Sequence, residues 1–215
     1  MTTSFIPGGI YHVISRFTAK TWFIESQVER HGYLSVLGEV MEHTDWRCFS
    51  FAIMSSHTHL GMRAGRTPLA SWLRPMHTTF ARWINDRRER IGAVFVKGPN
   101  VIAVQPAGTA RLINYIHHNP VRAGLVSNPD DSYWTSHPMY RDPATRPAWL
   151  SVSAGLEHTE FDSGTDLADW IESTTIDRAE LDQFRVVPRP KLGRPRNQPD
   201  DVGPIDDPSL GPSKS

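Results

Sequence analysis

Two short constellations in this chain bring together residue types that can do chemistry. His57-Thr58-His59 lies in a run that alternates in polarity, and a strand puts residues two apart on one face. Both imidazoles would then project together and could share one divalent ion, with Thr58 pointing the other way. A structural or surface role accounts for the pair as well, and the Asp that completes the familiar hydrolase pattern is absent, since Leu60-Gly61 follow. The second constellation is Tyr115 and Asn119, four apart in a helical run and so on one face. A phenol and an amide oxygen can be offered to one point, and the Asn119 carbonyl could complete a two-histidine metal site. The alternative is a half-buried Tyr115 in the core and Asn119 as a C-cap before Pro120.

The elements that must position these residues can be read from periodicity. Ile10 to Phe17 alternates and reads as a strand. Glu25 to His43 carries apolar residues at helical spacing. Trp46 to Met54 and His57 to Arg63 read as a hairpin turning at Ser55-Ser56. Thr67-Pro68 opens a helix, with Thr67 as N-cap and Pro68 at its first position. Leu69, Trp72, Leu73, Met76, Phe80 and Ile84 give that helix its apolar stripe, interrupted by Pro75. Val101 to Val104 is a short strand, and Thr109 to His118 is a helix that Asn119-Pro120 should end. The order β-α-β-β-α-β, then a helix, is that of an α+β, ferredoxin-like sandwich: an antiparallel sheet with helices on one face.

Composition bounds the rest. The 215 residues hold 23 Lys+Arg and 23 Asp+Glu, a balance that by itself argues against a general polyanion binder. The balance is a cancellation. Residues 1–149 carry 16 basic and 10 acidic side chains, and residues 150–215 carry 7 and 13. Met62 to Arg122 holds ten bases against Asp86 and Glu89, whereas Leu150 to Phe184 holds nine acids against Arg178. Such segregation points to a polyanionic partner, although charge runs are also ordinary solvated faces. The single cysteine, Cys48, excludes an internal disulfide and a cysteine-cage zinc site. No apolar run is long enough to span a bilayer, and Met1 to Gly9 does not read as a signal peptide, so the expectation is a soluble cytoplasmic protein without membrane contact. Three regions are expected: a domain over 1–149, an acidic helical extension over 150–187, and a disordered Pro-rich tail over 188–215.

Three segments together resemble a known family. Tyr11-His12-Val13-Ile14-Ser15-Arg16, then Met54-Ser55-Ser56-His57-Thr58-His59-Leu60, then Tyr115-Ile116-His117-His118-Asn119-Pro120-Val121-Arg122-Ala123-Gly124 resemble the single-tyrosine HUH transposases. The similarity is to their REP-associated tyrosine transposase branch and covers about residues 8–140. It implies a ferredoxin-like sheet bearing the histidine pair, with Tyr115 as nucleophile on a following helix. His57 and His59 would bind Mg²⁺ or Mn²⁺, with Asn119 as the polar third ligand. The substrate would be single-stranded, hairpin-bearing DNA, handled by a monomer or homodimer. Three departures motivate the alternative of a non-cleaving DNA-binding protein: Ser55-Ser56 replaces Pro-Asn, Thr58 replaces a bulky residue, and in Val94 to Asn100 the usual Gln, Arg and Lys are lost or displaced.

The basic stretch would then face DNA. Arg63, Arg66, Arg74, Arg82, Arg87, Arg88, Arg90 and Lys97 are candidates to track phosphates, and Trp72, Trp83 or Phe95 to stack on bases if they are not core. Arg16 and Arg122 lie inside the family motifs and could face the site. In the tail, Arg194 centres a Lys191 to Arg196 segment that resembles an AT-hook. The acidic stretch is expected to dock on the basic face and screen it.

Overall fold

The computed structural model describes residues 5–186. The AT-hook-like segment with Arg194, and the expected disordered tail, lie outside the described residues. At the centre are four strands, β1 Ile10–Arg16, β2 Arg47–Ile53, β3 His57–Arg63 and β4 Asn100–Val104, in the order β2-β3-β1-β4. All three pairings are antiparallel. Helix α1 (Gln27–Met41) joins β1 to β2, and α2 (Leu69–Arg87) joins β3 to β4. Each crossover skips one strand, so β1 and β3 become the central pair. This is the expected βαββαβ sheet.

Local signals explain the helix limits. Ser26 and Glu29 form a reciprocal capping box at the start of α1, with the Ser26 hydroxyl accepting from the Glu29 N–H and the Glu29 carboxylate accepting from the Ser26 N–H. Helix α2 starts one residue later than expected, with Pro68 as its N-cap. The physical reason is that Thr67 is engaged elsewhere. Its carbonyl accepts from Trp46 Nε1–H at 2.6 Å, and its N–H donates to Asp45 at 3.2 Å.

Helices α1 and α2 cover one face of the sheet. Tyr33 on α1 exchanges a hydrogen bond with Thr58 at 2.9 Å, and Phe80 on α2 packs edge-on to Tyr33 at 5.1 Å. Thr58 therefore faces these helices, opposite to its histidine neighbours. Trp72 is buried in the same layer and Phe95 stacks on His77 at 3.8 Å, so both aromatics serve packing. The other face is covered by α3 (Thr109–His117), which buries Leu112, Ile113 and Ile116 completely. At Gly61 in β3 a Cβ would come within 2.5 Å of Ser50 Oγ and 2.6 Å of the Phe49 ring, so this position has room only for hydrogen.

The Asn119-Pro120 step kinks the chain but does not end the helical path. His118 is the C-cap of α3, and α4 (Asn119–Arg122) restarts at once with Pro120 in its first turn. There the missing N–H of proline costs nothing. Asn119 is therefore the first residue of a new turn rather than a C-cap.

The chain beyond residue 149 is built into the same core. Leu150 bridges to Cys48 of β2, and the Ser151 N–H donates to the Cys48 carbonyl at 2.8 Å. Short helix α5 (His137–Arg141) comes before this point, and α6 (Val152–Leu156), α7 (Gly164–Ser173) and α8 (Arg178–Asp182) follow it. Val152, Leu167, Ile171, Ile176 and Leu181 are all buried with the sheet residues. Buried Asn114 on α3 fastens this segment, donating to the Thr174 carbonyl at 2.7 Å and accepting from the Ile176 N–H at 3.2 Å. Past α8 the chain runs beside β4, where the Val186 N–H donates to Ala103 at 2.8 Å and the Gln105 N–H to Phe184 at 2.8 Å. Edge strand β4 is thereby covered. Among the described residues no helix is long and apolar enough to cross a membrane.

Asn114→Ala removes both ties and leaves a buried carbonyl and a buried N–H without partners. A loss of about 2–3 kcal/mol is expected in urea unfolding, still as one cooperative transition. Separate unfolding of residues 150–186 would show instead that the extension is an independent unit.

Candidate active site

The pleat decides which side chains meet. In the β1–β3 register Ile14 lies opposite His59, His12 opposite Gly61 and Arg16 opposite His57. All of these share the face under α3, so His57 and His59 project to one side as expected from their spacing. Their ring centroids are 4.8 Å apart. The register adds a third imidazole that spacing alone did not mark. His12 stacks on His59 at 4.9 Å, and His12 Nε2 lies 2.7 Å from His59 Nδ1. In the sequence His12 is marked by its place in the alternating strand β1 and in the family-like Tyr11–Arg16 segment, neither of which gave it a role.

Tyr115 reaches the same cluster from α3. Its ring sits edge-on to His12 at 5.9 Å and to His59 at 6.3 Å. The tyrosine and the histidines are thus neighbours in space although 56 residues or more separate them in the chain. The Arg122 guanidinium lies 4.0 Å from the Tyr115 ring centroid and also donates to the Tyr115 carbonyl. Asn119 stands one turn beyond Tyr115. Its amide nitrogen donates to the Tyr115 and Ile116 carbonyls, each at 3.1 Å, which leaves the Asn119 carbonyl oxygen out of these two bonds.

Electrostatics keep the imidazoles neutral. Burial pushes His12 down to about 3, with Arg178, Arg122 and His57 adding to the effect. Burial likewise drives His59 well below the ordinary imidazole value and lowers His57, with Arg16 contributing to both. Neutral imidazole is the form that binds metal. The hydrogen bonds suit that role. When His59 Nδ1–H donates to His12 Nε2, the lone pair is left on His59 Nε2, a buried atom with no hydrogen-bond partner. Ser56 Oγ lies 3.1 Å from His57 Nδ1 and can fix that ring in the same way. One of the residues that departs from the family pattern thus orients a histidine. His57 and His59 thus present neutral ring nitrogens on one sheet face, the donor type that could hold a divalent ion.

A second group of metal-ligating types lies elsewhere: Asp130, His137 and Glu172. Arg141 already supplies the cation there. Its guanidinium pairs with Glu172, with Asp130 at 3.3 Å and with Asp169 at 2.7 Å. This group reads as a clamp between α5 and α7 rather than a metal centre.

The expected DNA-contacting residues divide. Arg16 lies beside His57 and, with Lys20, Ser56 and Val96, lines a cleft of about 460 Å³ at that end of the sheet. Lys97 follows directly on Val96, whose N–H donates to the Arg16 carbonyl at 2.9 Å. Arg122 is at Tyr115. By contrast, Arg82 and Arg87 are exposed on α2, across the sheet from Tyr115. Arg66 sits with Thr67 and Asp45 at the start of α2. Arg88 is held by Glu25 at 2.8 Å and Glu29 at 2.9 Å. Arg63, at the far end of β3 from His57, pairs with Glu157. The acidic extension thus meets the basic stretch at Arg63, while most of it packs on the α3 side.

No family model and no curated protein matches the chain. Among solved structures, a REP-associated tyrosine transposase bound to a REP hairpin is similar with a TM-score of 0.54, at 16% identity, over 76% of this chain and 95% of that one. A protein from Deinococcus radiodurans R1, described as a transposase, aligns at 12% identity over 58% of this chain and 91% of its own. Its TM-score of 0.40 adds nothing to the fold assignment.

Two measurements test the electrostatics of the site. His12→Ala should weaken Mn²⁺ binding, read by calorimetry, by about 10–100-fold while the fold persists. Because burial depresses the folded-state pKa of His12 and His59, their contribution to stability is full above pH 6.5 and is lost as pH falls toward about 3. Thermal stability should therefore fall from pH 7 to pH 4.5, and fall less in His12→Gln. An equal slope in the two proteins would place the acid sensitivity elsewhere. The chain has the fold of a REP-associated tyrosine transposase, which is the architecture its three sequence motifs resemble.

Proposed function

We propose that the protein is a metal-dependent, single-tyrosine DNA strand transferase of the REP-associated type. It would cleave and rejoin single-stranded, hairpin-bearing DNA. The observation that carries this reading is the juxtaposition of Tyr115 with His59 and His12 on one sheet face. It is supported by the shared fold and by the REP hairpin bound to the similar transposase.

In this reading Tyr115 Oη attacks the scissile phosphorus. The new bond is P–Oη and the bond that breaks is P–O3′. The phenol loses its proton to water, and the departing 3′ oxygen takes one up. The product is a 5′-phosphotyrosine and a free 3′-hydroxyl, and the reverse attack rejoins the strand without an external energy source. A divalent ion held by His57, His59 and Asn119 would polarise a non-bridging phosphate oxygen. A free phenol near pKa 10 is a weak nucleophile at pH 7, so orientation matters. Arg122 packs against the Tyr115 ring and restricts its rotation. Helix α3 excludes water from His12 and His59. Arg16 and Lys20 offer positive charge along the cleft beside His57.

A second reading, a non-cleaving DNA-binding protein of the same fold, is favoured by the internal pairing of Arg63 and Arg88. The two part in one experiment. A hairpin-bearing single strand is incubated with the protein and Mn²⁺, then denatured in SDS. A covalent adduct is expected, abolished by Tyr115→Phe and by His57→Ala. Chelator-resistant binding with no nicking would favour the second reading, and an adduct formed by Tyr115→Phe would remove the nucleophile assignment. Affinity should also fall steeply with salt, with a log–log slope of about −4 if six phosphates are contacted. A flat response would contradict contact with the phosphate backbone.

A further inference from the structure

Arg178 is the one base among nine acids between Leu150 and Phe184, and neither periodicity nor the family motifs gave it a role. The structure gives it a place. It opens α8, whose start is fixed by a capping box in which Asp177 accepts from the Glu180 N–H at 2.8 Å and Glu180 accepts from the Asp177 N–H at 2.9 Å. The peptide just before it is pinned to α3 and α4. Ile176 donates to Asn114 at 3.2 Å, and its carbonyl accepts from Arg122 at 3.2 Å. Ile176 and Leu181 are buried on either side. This anchoring brings the Arg178 guanidinium to 5.8 Å from the Tyr115 ring centroid, with Asp182 at 3.1 Å holding its Nε. Burial works against the charge, but the neighbouring Tyr115 and Asp182 side chains outweigh it and hold the guanidinium above its ordinary value. The charge of Arg178 is also felt at His12.

We propose that the C-terminal extension completes the active site by supplying Arg178 as a positioning residue for Tyr115. The inference rests on Tyr115 being the nucleophile of the proposed strand transfer. Arg122 packs on the ring of the tyrosine at 4.0 Å and Arg178 stands 5.8 Å from the same ring centroid, so two guanidinium groups together restrict the side chain. Asp182 keeps Arg178 from swinging toward the solvent. The extension is then more than packing for the sheet. One of its acids, Asp182, holds a base that stands beside the tyrosine next to the histidine cluster.

Two measurements on the full-length chain test this. In the first, adduct formation at saturating hairpin DNA and Mn²⁺ is compared among wild type, Arg178→Lys and Arg178→Ala. The alanine variant should be slower by about ten-fold or more, since it loses a preorganised cation beside the tyrosine, with DNA affinity changed by less than about three-fold. Added guanidinium ion should restore part of its rate and none of the rate of Tyr115→Phe. Lysine should retain an intermediate rate. A wild-type rate in Arg178→Ala would overturn the proposal, as would a loss that neither lysine nor guanidinium rescues. In the second, 3-fluorotyrosine is incorporated and the Tyr115 resonance assigned by its absence from Tyr115→Phe. That resonance should move in Arg178→Ala without DNA or metal, and an unmoved resonance overturns the proposal. If the resonance moves but wild type never forms an adduct, the contact stands and the strand-transfer reading fails.

Discussion

A sheet face covered by a helix is ordinarily closed by apolar side chains, because a buried polar group costs free energy unless it is hydrogen-bonded. Here the face beneath α3 carries Ile10 and Ile14 of β1, and in the same pleat His12 and His59. The remainder of the site depends on that burial. Imidazoles in such a place stay neutral, hydrogen-bond to each other, and keep at least one ring nitrogen unpartnered. The register of two central strands thereby sets how the imidazoles meet one another and how far they lie from Tyr115.

Tyr115 depends in turn on how α3 crosses that face. The kink at His118 lets the chain continue into α4, so that Asn119 and Arg122 return toward the tyrosine that precedes them by one and two turns. A straight, longer helix would carry Arg122 along the same face but leave its guanidinium further from the Tyr115 carbonyl. Pro120 is consistent with this arrangement because it occupies the first turn of a helix, where its ring is tolerated.

Much of this was legible in the sequence for a physical reason. Period-two alternation and apolar stripes at helical spacing report burial directly, so the order of strands and helices followed from them, and His57, His59 and Tyr115 fell on definite faces. What escaped was non-local. His12 joins the site through a cross-strand register that no local pattern encodes, and Arg178 through a chain reversal more than sixty residues after Tyr115. Charge segregation along the chain suggested a DNA-facing surface, yet it could not separate Arg16, beside His57, from Arg82 and Arg87 on the opposite side of the sheet. Nor could it show that Arg63 and Arg88 are occupied by Glu157, Glu25 and Glu29. The zero net charge arises from acids that pack against the basic domain as part of one core, not from a separable acidic unit.

The central claim is that Tyr115 becomes covalently joined to DNA, and peptide mapping addresses it most directly. The protein is reacted with a hairpin-bearing strand and Mn²⁺, the DNA is trimmed with nuclease, and the tryptic digest is sequenced by mass spectrometry. The expected result is a nucleotide mass increment on the peptide Leu112 to Arg122, located at Tyr115. Nicked DNA with the increment on another residue, or with no increment at all, would contradict it.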